Sequence, residues 1–138
     1  MATDIKVLPD YTVAMLDVVD LLMDDEPALQ PANIDAPTPD VNVALPACQA
    51  YTFDGDADQT SGSFVVDVHF FAETYAEASR LARTFDARFM RYPHRVSSNG
   101  SAVLLDRVGT VSMPTEVPWI DDNSIRRFQA TYSVSFRR

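Results

Sequence analysis

The chain has 138 residues, 46% of them hydrophobic and 22% charged, with nine Pro and four Gly; this is the composition of one folded domain with its own core, and it excludes a disordered chain and a collagen-like repeat. The net charge of −9 is unevenly spread, with twelve acids against Lys6 alone in residues 1–60 and eight acids against ten Arg in residues 61–138, so the basic stripe that grips nucleic acid by its phosphates is missing. No apolar run approaches the ~20 residues of a membrane helix, the opening Met-Ala-Thr-Asp-Ile-Lys lacks the pattern of a secretion signal, and the single Cys48 excludes an internal disulfide and a cysteine-built zinc site.

Met15, Leu16, Val19, Leu22 and Met23 recur at helical spacing behind Asp10 and Thr12, either of which can cap the start. Val18 and Leu21 fall on the other side, which predicts a helix covered on two faces. The acidic run Asp24, Asp25, Glu26 and then Pro27 end it. Four prolines make residues 27–40 a loop. Alternation predicts a short strand over 41–45, stopped by Pro46, and a second extended segment over 47–53. Residues 54–62 are polar and predict a turn. Residues 63–72 predict a strand with Phe64, Val66, Val68 and Phe70 on one face and Val65, Asp67, His69 and Phe71 on the other.

Thr74 and Glu77 have the spacing of a capping box. They open a helix whose apolar stripe is Ala78, Leu81, Ala82, Phe85 and Phe89, with Arg80, Arg83, Arg88 and Arg91 on its outer face; Tyr92-Pro93 stops it. Residues 97–100 predict a turn, and residues 102–113 a long strand with Gly109 as its candidate bulge. Residues 114–124 predict a loop, and residues 125–138 a strand. On that strand Phe128, Ala130, Tyr132, Val134 and Phe136 face the core, and Arg127, Gln129, Thr131, Ser133, Ser135 and Arg137 face solvent or a partner. The order predicts a single α+β domain over residues 1–138: a mostly antiparallel sheet of four to five strands with two main helices packed on one face.

Chemistry is sparse. Asp54, Asp56 and Asp58 imitate the start of a calcium loop, but Gln59 stands where such a loop needs Gly and Val65 where it needs Glu. His69 and His94 are the only histidines, and no nucleophile motif, phosphate-cradling glycine loop or dinucleotide fingerprint accompanies them. No catalytic, cofactor-binding or metal-ligating residue is therefore named, and the chain is not expected to be an enzyme. Two places suit contacts. The arginine face of the second helix fits a phosphate grip, a solvated surface or a subunit contact. Trp119, Asp121, Asp122 and Arg126 crowd the loop before the last strand, where Trp119 fits either an interface or a lid over the core. The split charge also lets acidic and basic surfaces of neighbouring copies meet.

Val66-Asp67-Val68-x-Phe70-x-Ala72-x-Thr74-x-x-Glu77-Ala78-x-x-Leu81-Ala82 resembles the strand-to-helix signature of tail terminator proteins of long-tailed bacteriophages, especially those of actinobacteria. The opening helix, the Pro-rich loop, the Leu45-Pro46 segment and the closing Trp119…Arg127-x-x-x-x-Tyr132 strand extend the likeness over nearly the whole chain; Asp54-Gly55-Asp56 replaces the Gly-Gly turn of the pattern. The resemblance implies a small α+β domain in a homo-hexameric ring. That ring would cap the tail tube, end its polymerisation and join the tail to the head. The implied partners are further copies of the chain, the tail tube protein, a head-completion or neck protein, and genomic DNA sliding through the lumen without specific binding. The resemblance also implies no membrane partner and a place at the virion head–tail junction, after synthesis in the host cytoplasm. Arg80, Arg83, Arg88, Trp119, Asp122, Arg126 and Arg127 are the interface candidates. Asp54, Asp56 and Asp58 are the lumen candidates, with Asp24, Asp25 and Glu26 as a second acidic segment. Another neck component, a head-completion or stopper protein, is the alternative of the same class; a small soluble enzyme or ligand-binding domain is that of another class.

Overall fold

In the computed structural model, which describes residues 10–36, 44–57, 61–98, 101–118 and 124–137, Asp10 opens the first helix, α1 (Tyr11–Leu22), by accepting the backbone N–H of Thr12 and Val13. Two strands follow, β1 (Ala47–Ala57) and β2 (Ser61–Ala72), then α2 (Tyr75–Phe89), β3 (His94–Ser98), β4 (Ser101–Glu116) and β5 (Arg126–Arg137). All five strands form one antiparallel sheet in the order β1-β2-β5-β4-β3. The fold is α+β, with two helices and a curled five-stranded sheet.

Alternation along β2 and β5 sets the core. Phe64, Val66, Val68 and Phe70 of β2 and Phe128, Ala130, Tyr132, Val134 and Phe136 of β5 are buried on the face under the helices. Against them α2 lays Ala78, Leu81, Ala82, Phe85 and Phe89, and α1 lays Ala14, Met15, Val18 and Val19. Phe85 sits among Phe70, Phe89 and Tyr132 at centroid distances of 5.8, 5.0 and 6.0 Å. The buried Tyr132 hydroxyl donates to Asp86 Oδ1 at 2.8 Å, and burial pushes its pKa up. Helix α1 packs against both edge strands, β1 and β3, because the sheet curls around it.

Several local expectations change. Val18 joins the core, whereas Leu21 lies in solvent, so only one side of α1 is covered. Of the strand expected over 41–45, residues 41–43 lie outside the described residues, and Ala44 and Leu45 belong to no strand. The acidic segment expected as a turn instead continues β1: a bulge between Phe53 and Asp56, with Asp54 at φ 50°, returns the chain to register, and Asp56 and Ala57 pair with Ser63 and Gly62. Residues 94–98, not expected as a strand, pair with the start of β4. That strand runs on to Glu116 and is irregular beside Asp106, Val111 and Pro114, while Gly109 pairs regularly with Ser133. The capping box is half made. Thr74 Oγ1 accepts the Glu77 N–H at 3.2 Å, but the Glu77 carboxylate turns to Arg80.

Candidate subunit interface

The arginine face of α2 meets the acidic end of α1. Arg80 donates to both carboxylate oxygens of Glu26, at 2.6 and 3.1 Å, and also reaches Glu77 at 3.0 Å. Arg88 makes a fork to Asp25 at 2.7 and 2.8 Å and donates to the Leu22 carbonyl at 2.6 Å. The Leu22 carbonyl is one of those a helix C-terminus leaves without an intrahelical donor, so Arg88 caps α1 while it neutralises the acids beyond it. The guanidinium beside each carboxylate holds Asp25 and Glu26 below the usual carboxylate range. Arg80 and Arg88, together with one of the two acidic segments, thus belong to an internal latch between the helices. Arg83 bonds Ser79 Oγ at 3.0 Å and, like Arg91, has no carboxylate partner among the described residues.

The second contact region is placed in part, because Trp119 and Asp122 lie outside the described residues, as does Asp121. Arg126 forks onto Glu116 at 2.8 and 2.9 Å and stands 5.6 Å from the centre of the Tyr75 ring. Arg127 donates to the Val117 and Pro118 carbonyls. Both arginines therefore hold the end of β4 against the start of β5. Asp54 and Asp56 are exposed on the outer stretch of β1, and Asp58 lies outside the described residues.

The sheet face away from the helices carries a polar group that patterning placed but did not connect. Asp67 accepts from Tyr51 at 2.9 Å, Thr131 at 2.6 Å and Gln129 at 3.4 Å, which satisfies a carboxylate that is itself buried. His69, 4% exposed, stacks between Tyr51 and Phe71, and neither ring nitrogen has a hydrogen-bond partner among the described residues. The cross-strand rows Tyr51–Asp67–Thr131 and Gln49–His69–Gln129 bring these residues together. Only the register, which one sequence does not reveal, places them side by side. His94 Nε2 instead donates to the Phe89 carbonyl, 2.7 Å away, and the ring stacks on that of Phe89. Burial pushes the Cys48 thiol up, as suits a packing role. Among the described residues no group of three or more His, Cys, Asp or Glu side chains is arranged to hold a metal ion, and no helix is long and apolar enough to cross a membrane.

No family model and no curated protein matches the chain. Twelve solved chains do; one whose name carries no functional description aligns over 91% of this chain and 90% of its own length, at 16% identity and a TM-score of 0.49.

Proposed function

We propose that the chain is a structural protein of a bacteriophage virion, a tail terminator whose ring caps the tail tube, ends its growth and joins the tail to the head. The observation that carries the reading is where the signature falls. Val66, Val68, Phe70 and Ala72 of β2 and Ala78, Leu81 and Ala82 of α2 are all buried on one packed surface, with Thr74 capping the turn between them. The residues that resemble the family are thus one contiguous strand-to-helix unit, not scattered matches. The net charge of −9 suits a ring through which DNA slides, since a wall with few free cations offers phosphate little to hold. The role asks for contact surfaces and no catalysis.

The test is to add the purified chain to tail tube protein polymerising in solution. Tubes capped at one end and arrested in length, seen by electron microscopy, are the expected result. Tubes that grow on unchanged, with no ring at either end, overturn the reading.

A further inference from the structure

The two edges of the sheet are closed over part of their length only. Along β1, the backbone up to Thr52 is occupied: Asn33 bonds Cys48 and Ala50, Gln30 bonds the Pro46 carbonyl, and Thr12 Oγ1 accepts the Thr52 N–H. Beyond it, residues 53–57 have no strand on their outer side among the described residues, and Phe53 is 40% exposed. On the other edge, β3 covers β4 only from Ser101 to Leu105. Residues 106–116 of β4 pair with β5 on one side and with no strand on the other, and Val111 and Met113 are 62% and 68% exposed. An open strand edge with apolar side chains on it is a template for another strand.

These two edges match. The register runs Asp56–Ser63–Ser135–Arg107, so one row across the sheet has an acid at one open edge and an arginine at the other. The row Phe53–Val65–Ser133–Gly109 lies on the same face and brings the exposed Phe53 level with the stretch of β4 that leads to Val111. Among the described residues Asp54 and Asp56 have no cationic partner and Arg107 no carboxylate partner. Three antiparallel pairings separate β1 from β4, so the two run in opposite directions. A second copy turned about an axis along the strands keeps those directions, and its β1 meets β4 antiparallel. Because acid and arginine share a row, the step from copy to copy involves no slide along the strands. A head-to-tail contact without slide can close into a ring, where its rotation divides a full turn; with slide it winds into a filament.

We propose that copies of this chain join edge to edge, residues 53–57 of one against residues 106–116 of the next, with Asp56 beside Arg107 and Phe53 beside Gly109, two residues before Val111. This rests on the ring reading above and names its seam. It assigns Asp56 to the contact between subunits, not to the lumen. The internal latch leaves Arg80 and Arg88 outside that contact.

The experiment is cysteine pairing. The double variant Asp56→Cys/Arg107→Cys, oxidised alone and bound to purified tail tubes, is expected to give a ladder of covalent multimers up to the ring. Within one copy the two positions are three strand spacings apart, roughly 14 Å, beyond the reach of an internal disulfide. Each single variant stops at dimers, and the native Cys48 is buried. Asp56→Arg is expected to weaken association about tenfold, and Asp56→Arg/Arg107→Asp to restore it. Circular dichroism of each variant checks that the fold is kept, which exposed positions allow. Normal rings in which the double cysteine variant yields nothing beyond dimers overturn the seam and leave the ring reading standing. A chain that forms no ring, alone or on tubes, overturns both.

Discussion

Gly62 stands where β1 and β2 turn back on each other. A Cβ there would lie 2.4 Å from the Asp56 carbonyl oxygen, 2.6 Å from the Phe136 ring and 2.8 Å from Ala57 Cα. Two of those three atoms are backbone, so the hairpin itself must shift. Gly62→Ala is expected to cost about 1–3 kcal/mol, read as a lower denaturant midpoint at unchanged slope. His69 makes a different claim, on pH. Burial pushes its pKa down to about 4 from 6.5, with Arg127 acting in the same direction and Asp67 against it. Between pH 6.5 and 4 the unfolded chain therefore takes up a proton that the folded chain refuses. This contribution to stability is full above pH 6.5 and falls as pH falls through that window, by about 1.4 kcal/mol per pH unit. His69→Phe, which keeps the stack between Tyr51 and Phe71, should flatten that part of the stability profile. An unchanged slope in urea titrations across pH 4–6.5 would show that His69 is not its source.

At the scale of the element, α2 is held by its apolar stripe more than by its arginines. Phe85→Ala removes a ring packed against three others and is expected to cost about 3–5 kcal/mol, a loss that salt does not change. Arg80→Ala/Arg88→Ala opens the latch to α1, whose pairs stand at the surface. Its effect on melting temperature should be smaller than that of Phe85→Ala and should shrink further as salt is raised. Elements of this strength were also the legible ones. The 3.6-residue stripe of α2 and the alternation of β2 and β5 follow from residue spacing alone, and so does the core that they build. The short β3 was not legible, because four of its five residues are polar, Val96 alone reaches the core, and the strand pairs only with β4. Nor was the acidic end of β1, where Asp, Gly and Asp read as a turn until cross-strand pairing overrides them. The latch and the Asp67 cluster join residues far apart in the chain, and the open edges depend on sheet order, which the pattern of elements does not fix.

For the whole molecule the sheet order is the governing fact. Its central pairing, β2 with β5, joins residues far apart in the chain, from Ser61 with Arg137 to Ala72 with Arg126, so refolding is expected in milliseconds to seconds, not microseconds, by stopped-flow fluorescence. The same order has a consequence for synthesis. The strand β5 follows every other strand in the chain and yet lies between β2 and β4. A nascent chain leaving the ribosome can make only two separate hairpins, β1 with β2 and β3 with β4, and a two-stranded hairpin alone is marginal in water. Each waits with the edge that β5 will occupy bare and with its apolar face uncovered. The last strand to emerge is thus a keystone: until it slots in there are two loose halves, and their exposed surfaces are the ones a chaperone would meet.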